Sequence, residues 1–310
     1  MKRKVAFLFS GQGAQYTGMG SELYERYSEC EQVFTYAEQV LGRSIKNLCF
    51  KGNTQELATT INTQPAVFTV DIAILAVLRK YGIEPDAVAG FSLGEYAALH
   101  ASGFFDLMTS YYLVNQRAIA MNHVSNSEMH GMAAISGNNI SNIDAICKQY
   151  ENVWIANYNT QKQISIAGEK ESVQKVVEYV KSNGYGGIEL NVSGAFHTRF
   201  MKEAAESFEK SISLITANEN KLPIVLNRTG EYYTHENNIK EIMKQQIYSP
   251  VKWYQSMERL KNDGYNTFIE IGPGTTLYKF LKTILNDEDV TILHVENMES
   301  LYKTIDIFYN

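Results

Sequence analysis

The sequence is poor in proline and cysteine. Five of its 310 residues are proline, well below the roughly 5% that is usual in soluble proteins, and this argues against long irregular linkers. The three cysteines, at positions 30, 49 and 147, show no Cys-x-x-Cys spacing. So few thiols are typical of buried small side chains in a reducing compartment, not of a disulfide framework. We therefore expect a cytoplasmic chain made mostly of helices and strands.

Basic charge and long apolar runs are also scarce. The chain has 28 Lys and Arg against 34 Asp and Glu, a net charge of −6, which is the wrong sign for neutralising nucleic-acid phosphates. No stretch approaches the roughly 20 apolar residues of a membrane span. The short apolar run 5–9 after the basic N-terminus is too short for a signal peptide. We expect a soluble protein that binds neither nucleic acid nor membrane.

The apolar pattern predicts an α/β fold in two parts. The runs 5–9 and 87–90 are short, apolar and ended by turn residues, as is typical of strands buried in a parallel sheet. Residues 131–192 predict the order βαββαβ of a ferredoxin-like unit, with elements at 132–135, 140–150, 153–156, 163–167, 172–182 and 187–192. We assign 1–128 and 195–310 to a main α/β domain with a parallel sheet, and 129–194 to an inserted small domain.

A nucleophile is indicated between a predicted strand and a predicted helix. Gly90-Phe-Ser-Leu-Gly94 fits G-x-S-x-G, in which the flanking glycines let a serine occupy a strained, exposed turn. The turn would project the Ser92 hydroxyl and leave the Leu93 N–H free for a developing oxyanion. A turn that merely needs glycine would give the same pattern.

A serine nucleophile needs a base, and the chain has six histidines. Four of them are expected at the surface, namely His100, His123, His130 and His235. His197 stands apart, because it lies in a turn of small residues between the last strand of the inserted unit and the next helix. A histidine at such a junction is more often structural than catalytic, so its role stays open on this pattern alone.

Six segments together resemble the malonyl-CoA:acyl carrier protein transacylases, in order and in spacing, from residue 5 to about residue 285. The resemblance implies an α/β-hydrolase-like main domain carrying a ferredoxin-like insertion, and malonyl transfer through a serine ester. The segments are Phe9-Ser-Gly-Gln-Gly-Ala-Gln15, Gly90-Phe-Ser-Leu-Gly-Glu95, Leu113-Val-Asn-Gln-Arg117 with Met121, Gly194-Ala-Phe-His197, Gln246-Ile-Tyr-Ser-Pro-Val-Lys-Trp253 and Glu270-Ile-Gly-Pro-Gly274.

The same resemblance implies the catalytic roles. Ser92 would take the malonyl group from coenzyme A and pass it to the phosphopantetheine thiol of an acyl carrier protein. His197 would be the base for Ser92 and the acid for the departing thiol, with an oxygen of Gln246 as partner of its imidazole N–H. The backbone N–H groups of Gln12 and Leu93 would form the oxyanion hole, each worth about 3 kcal/mol.

Three further residues would select the acyl group. Arg117 would bind the malonyl carboxylate through its planar fork, and Met121 lies one turn further along the same predicted helix. Phe196 would leave little room for an α-methyl branch. Phe91 stands where many relatives have histidine, which leaves the fine tuning of the site in doubt. No metal site and no cofactor beyond coenzyme A, which enters as the substrate ester, is expected.

An acidic carrier protein would need a local basic patch on this acidic chain. The candidates for this patch are Arg199, Lys202 and Lys252, although ordinary solvated surface charges would give the same sequence pattern.

The resemblance leaves two biological roles for malonyl transfer. Fatty acid biosynthesis is the first, and a discrete malonyltransferase of a polyketide assembly line is the alternative.

Two other classes of function stay open. An esterase would use Ser92 with Asp287 or Asp289 and His294, which occur in hydrolase order. A non-catalytic docking subunit would have no use for the nucleophile and its base.

Overall fold

The computed structural model describes residues 3–125, 128–138, 140–286 and 289–309. Its strands, in chain order, are β1 (Val5–Phe9), β2 (Ala87–Gly90), β3 (His130–Ser136), β4 (Val153–Thr160), β5 (Gln163–Glu169), β6 (Gly186–Leu190), β7 (Ile224–Val225), β8 (Thr267–Ile271) and β9 (Thr291–Val295). Its α-helices are α1 (Ser21–Arg26), α2 (Ser28–Leu41), α3 (Ile45–Lys51), α4 (Thr54–Ala58), α5 (Thr60–Lys80), α6 (Gly94–Ala101), α7 (Leu107–Val124), α8 (Ile143–Cys147), α9 (Lys170–Ser182), α10 (Lys202–Ser213), α11 (Ile239–Gln246), α12 (Trp253–Asn262), α13 (Thr276–Ile284) and α14 (Met298–Tyr309).

The first sheet is parallel, with the strand order β7-β2-β1-β8-β9. All residues of β1, β2 and β8 are buried, because apolar clusters cover both faces of the sheet. This explains why these strands are continuous apolar runs and not alternating ones. The carboxyl ends of parallel strands meet at one edge, so the residues that follow β1, β2 and β8 lie close together there.

The second sheet is antiparallel, with the order β4-β5-β3-β6. Helices α8 and α9 pack on one of its faces and enclose a separate apolar core. The opposite face carries Met132, Ala134, Asn157 and Asn159, which line a cavity shared with the first sheet. The chain is therefore an α/β protein with one parallel and one antiparallel sheet.

The two sheets are joined by backbone hydrogen bonds at Val251. Its N–H donates to the carbonyl of Ala156 (2.9 Å), and its own carbonyl accepts the N–H of Tyr158 (2.8 Å). Val251 lies two residues before α12, on the first sheet's side, and its two partners lie in β4. The segment therefore acts as a short parallel neighbour of β4.

Most strands fall where the apolar runs predict them, and the predictions for β1 and β2 have the observed bounds. The predicted helix over 140–150 is wrong in extent: a 3₁₀ turn occupies Ile140–Asn142 and α8 ends at Cys147. The last strand of the second sheet ends at Leu190, earlier than the predicted residue 192. Helix and strand ends depend on capping contacts that apolar periodicity does not encode.

Within the described residues, α5 is the one helix long and apolar enough to cross a membrane by length and composition. However, 83% of its most apolar 18-residue window is buried inside the protein. Side chains from Ala66 to Leu78 instead form part of the main core, so α5 is a central core helix.

Candidate active site

Ser92 lies in the sharp turn between β2 and α6. Its backbone φ is 53°, which lies in the left-handed region that residues other than glycine seldom adopt. The flanking glycines are required by close packing: a Cβ on Gly90 would come within 2.0 Å of the Gly94 carbonyl carbon, and a Cβ on Gly94 within 2.1 Å of the Phe9 carbonyl oxygen. The G-x-S-x-G spacing therefore reflects a strand and a helix that approach too closely for any side chain between them.

His197 lies directly opposite this turn and is buried. Its Nε2 is 2.7 Å from Ser92 Oγ. Its Nδ1 faces two backbone carbonyl oxygens, those of Gln246 (3.0 Å) and Ser249 (3.2 Å). Carbonyl oxygens only accept, so Nδ1 carries the hydrogen and Nε2 presents its lone pair to the Ser92 hydroxyl. The pair is arranged for proton transfer from serine to imidazole without a carboxylate.

The electrostatics keep His197 neutral. Burial, followed by the nearby positive charge of Arg117, lowers the pKa of His197 to about 4. Both causes disfavour the imidazolium form. At neutral pH the ring therefore remains available as a proton acceptor.

Gln246 connects the nucleophile, the base and Arg117. Its backbone carbonyl accepts from His197, while its side-chain Nε2–H donates to the Ser92 carbonyl oxygen at 2.7 Å. Its Oε1 accepts from Arg117 Nη2 at 3.2 Å. This residue ends α11, where a helix end leaves backbone carbonyls free for other partners.

Arg117 projects from α7 into the protein and is only 1% exposed. Its guanidinium donates to Gln64 Oε1 (2.8 Å), Ser92 Oγ (3.1 Å) and Gln246 Oε1 (3.2 Å). These acceptors are all neutral, and Arg117 Nε has no partner among the described residues. A buried cation held by neutral oxygens beside a nucleophile is well placed to bind a negatively charged group.

A cavity of about 480 Å³ opens in front of the Ser92 hydroxyl. It lies between the carboxyl edge of the first sheet and the free face of the second. Met121, Phe196 and Phe91 supply apolar surface, and Gln12 lies in its wall. Phe91 stands where many relatives have histidine. Its ring packs edge-on against Trp253, with centroids 5.5 Å apart, so an aromatic contact occupies this position.

The loop at residues 11–13 lies against the serine turn. A Cβ on Gly11 would be 2.4 Å from the Phe91 carbonyl oxygen, so only glycine permits the approach. In the described part of the chain, neither the Gln12 nor the Leu93 backbone N–H donates to a protein acceptor. These are the two donors expected to hold an oxyanion.

Several residues at the site were not found from the sequence. Gln64 supports Arg117, Asn227 binds the backbone of the serine turn, and the Ser249 carbonyl receives the imidazole N–H. Gln64 could have been noticed as an amide in the apolar helix α5. Asn227 lies outside the six segments. Ser249 lies within the segment 246–253, but it acts through its backbone carbonyl, which the side chain does not reveal.

The four histidines expected at the surface differ in burial. His123 and His235 are exposed, as expected. The prediction is wrong for His100, which is half-buried with Nδ1 3.1 Å from the Phe105 carbonyl oxygen, and for His130, which begins β3 and packs on the ring of Phe200. His100 lies near the end of the buried helix α6, and His130 lies at the start of β3.

The alternative hydrolase triad does not assemble. His294 is on β9, the edge strand, three strands from β2, a separation of about 14 Å at the usual strand spacing. Ser92 bonds to His197 instead. Asp287 lies outside the described residues. Over residues 3–125, 128–138, 140–286 and 289–309, no group of three or more His, Cys, Asp or Glu side chains could hold a metal ion.

Comparison with known proteins matches residues 6–301 to a family described as an acyl transferase domain. A malonyl CoA-acyl carrier protein transacylase of Bacillus subtilis (strain 168) is 38% identical over 91% of this chain and 90% of its own. A polyketide biosynthesis malonyl CoA-acyl carrier protein transacylase of the same strain is 36% identical over 92% of this chain and 98% of its own. The crystal structure of a malonyl CoA-acyl carrier protein transacylase from Clostridium perfringens superposes with a TM-score of 0.93, 37% identity and coverage of 98% and 97%.

Proposed function

The chain belongs to the family of malonyl CoA-acyl carrier protein transacylases, and from that premise we propose that Ser92 and His197 carry malonyl transfer from malonyl-CoA to an acyl carrier protein. The observation that carries the proposal is the 2.7 Å contact between Ser92 Oγ and the lone-pair nitrogen of His197, with Arg117 3.1 Å from the same oxygen. Nucleophile, base and anion-binding group thus converge on one atom.

The first half-reaction forms the malonyl-serine ester. His197 Nε2 takes the Ser92 proton as Oγ attacks the thioester carbonyl, and the N–H groups of Gln12 and Leu93 stabilise the developing oxyanion. Collapse of the tetrahedral intermediate breaks the carbon–sulfur bond. The imidazolium then returns its proton to the departing coenzyme A thiolate, so charge and protons balance.

The second half-reaction runs the same steps in reverse with a different thiol. The phosphopantetheine thiol of the carrier gives its proton to His197 Nε2 and attacks the ester carbonyl. Ser92 leaves and recovers the proton. Malonyl-CoA and the carrier's phosphopantetheine arm therefore bind one after the other in the same cavity. Coenzyme A enters as part of the substrate ester. Acyl transfer between oxygen and sulfur involves no electron transfer.

Arg117, Met121 and Phe196 would set the choice of acyl group. The guanidinium of Arg117 would exchange its contacts with Gln64 and Gln246 for the malonyl carboxylate, a charge-assisted bidentate pair. Phe196 and Met121 line the cavity beside Ser92. Their bulk would disfavour an α-methyl branch, so acylation by methylmalonyl-CoA should be slower than by malonyl-CoA.

The acceptor is the point on which two versions of this function differ. Fatty acid biosynthesis is the first version. A discrete malonyltransferase of a polyketide assembly line is the second, and the 36% identity to a polyketide biosynthesis relative supports it. Both use the same chemistry at Ser92.

One experiment tests both halves. The protein is incubated with malonyl-CoA, and the intact mass is expected to rise by one malonyl group on Ser92, in the wild type and not in Ser92→Ala. The malonylated protein is then offered a fatty-acid and a polyketide carrier. Hydrolysis of malonyl-CoA without any carrier requirement would favour an esterase instead, and an unlabelled Ser92 would revive a docking role.

We also propose that the main domain is α/β-hydrolase-like and that the inserted domain is ferredoxin-like. The strand order of the second sheet, with its two helices on one face, supports a ferredoxin-like insertion over 129–194. The serine turn after β2, an inner strand of the parallel sheet, supports an α/β-hydrolase-like main domain over 1–128 and 195–310. Three unpaired, buried cysteines support a cytoplasmic location.

A further inference from the structure

The left-handed backbone of Ser92 needs support from its surroundings. A residue with a side chain in that conformation costs about 1–3 kcal/mol and persists only when neighbouring contacts hold it. The Ser92 carbonyl is held by the Gln246 side chain. The group that holds the other side of the turn is Asn227, a residue that no sequence motif marks.

Asn227 follows β7, the strand that pairs with β2, and is 1% exposed. Its side-chain Nδ2–H donates to the Gly90 carbonyl oxygen at 2.6 Å, and its Oδ1 accepts the Ser92 N–H at 2.7 Å. One carboxamide thus spans the residues on both sides of Phe91. It takes the place that a further residue of β7 would have in the sheet.

The backbone of Asn227 is engaged as well. Its N–H donates to Glu95 Oε2 on α6 at 2.5 Å, and its carbonyl accepts the Lys252 N–H at 2.8 Å. Lys252 is three residues beyond Ser249, whose carbonyl receives the imidazole N–H of His197. Asn227 therefore binds the nucleophile turn, the helix after it and the segment behind the base.

The geometry points to Asn227 as the positioning residue of the nucleophile: its carboxamide fixes the serine turn so that the Ser92 hydroxyl faces His197, and Glu95 fixes Asn227 in turn. The inference rests on the proposed function in taking Ser92 as the nucleophile. It also assigns the Ser92 N–H to Asn227, which leaves that N–H unavailable to an oxyanion.

Glu95 suits this supporting role because it is buried, accepts the Asn227 N–H and lies near the positive charge of Arg117. Burial raises its pKa to about 7, against the Asn227 N–H and the Arg117 charge, which both favour the ionised form. A glutamine at position 95 retains an oxygen that accepts the Asn227 N–H. Glu95→Gln should therefore preserve the position of Asn227, whereas Glu95→Ala removes the acceptor.

The test compares Asn227→Ala, which removes both side-chain contacts, with Asn227→Asp, which keeps only the acceptor for the Ser92 N–H. Three quantities are measured: the single-turnover rate of malonyl-Ser92 formation, the rate at which phenylmethylsulfonyl fluoride labels Ser92, and the thermal unfolding midpoint. Asn53→Ala is the matched control, because it removes the Glu56 N–H acceptor at the start of α4, away from the site.

We expect Asn227→Ala to slow both reactions about ten- to a hundred-fold, as small displacements of reacting groups do. The malonyl-CoA concentration that gives half of the maximal single-turnover rate should stay unchanged. Asn227→Asp and Glu95→Ala should fall in between, and Glu95→Gln should be faster than Glu95→Ala. Asn53→Ala should lower only the unfolding midpoint.

A folded Asn227→Ala protein with wild-type rates would overturn the inference, and so would slowed malonylation with unchanged sulfonylation, which would indicate a defect in substrate binding. If Asn227→Ala does not fold, wild-type labelling of Asn227→Asp overturns it. Loss of sulfonyl labelling in a protein whose wild type never forms malonyl-Ser92 would sustain the positioning role while the proposed function fails.

Discussion

Ser92 and His197 both adopt left-handed backbone conformations, with φ of 53° and 60°, and their side chains meet at 2.7 Å. Nucleophile and base thus each lie in a turn whose left-handed backbone conformation is unfavourable for a residue with a side chain. The dyad contains no carboxylate. The backbone carbonyls of Gln246 and Ser249 orient the imidazole instead.

The lowered pKa of His197 predicts the pH dependence of acylation. Since burial and Arg117 bring that pKa to about 4, the neutral ring dominates above it, and the imidazolium, which has no lone pair for the Ser92 proton, accumulates only below it. The single-turnover rate of malonyl-Ser92 formation should stay level as the pH falls through the ordinary histidine value of about 6.5 and decline only near 4. An inflection close to the ordinary value, with the fold intact by circular dichroism, would contradict this environment for His197.

Removing the Arg117 guanidinium should change the acyl preference. In Arg117→Ala, malonyl transfer should fall by about a hundred-fold or more, because a charge-assisted bidentate pair contributes about 3 kcal/mol. Acetyl transfer should be kept or should rise, because acetyl has no carboxylate to pair. The measurement is acylation of Ser92 by malonyl-CoA and by acetyl-CoA, side by side. Arg117→Lys is the control that keeps the charge and loses the fork, and equal loss for both acyl groups would refute the clamp.

Asp71 should reduce stability at neutral pH. It is fully buried in α5 against Gly272, where a Cβ would lie 2.1 Å from Asp71 Oδ1, and neither carboxyl oxygen has a hydrogen-bond partner among the described residues. Burial, followed by Glu270, raises the pKa of Asp71 well above its ordinary value. The unfolded chain therefore releases a proton that the folded protein keeps, and stability falls as the pH rises between the two pKa values.

Asp71→Asn removes this titration. The variant should gain on the wild type by about 1.4 kcal/mol of unfolding free energy per pH unit above pH 5, until the folded-state pKa is passed. Urea unfolding of both proteins at several pH values measures the difference. Glu84→Gln, at an exposed acid with a surface ion pair, should show no comparable trend, and parallel pH profiles for Asp71→Asn and wild type would count against a neutral Asp71.

Charge reversal next to His197 should weaken the carrier protein reaction. Arg199 and Lys202 are exposed, and the guanidinium of Arg199 lies 4.4 Å from the ring centroid of Trp154. Arg199→Glu with Lys202→Glu should raise the KM for an acidic carrier and leave malonyl-CoA acylation unchanged. Lys210→Glu, also exposed on α10 but near its far end, is the control. Slower acylation would place coenzyme A phosphates at these residues instead. Lys252 is half-buried and is a weaker candidate.

The residues that could be predicted from the sequence are those whose function demands a local pattern. Gly90, Ser92 and Gly94 form a turn whose packing fixes their spacing, and the strand before it is a plain apolar run. His197 was recognisable only through a family resemblance. The roles of Asn227 and of the Ser249 carbonyl could not be predicted, because they depend on contacts between segments that are distant in sequence. Neither an asparagine in a loop nor a backbone oxygen forms a local sequence pattern.

The hydrogen bonds of Val251 with β4 have a mechanical consequence. Through the neighbouring Lys252 N–H, the same segment is bonded to Asn227 and so to the serine turn. The two walls of the cavity are thereby connected through residues 251 and 252. A homologous second sheet grafted onto this chain would misalign the dyad unless residues 249–252 were grafted with it.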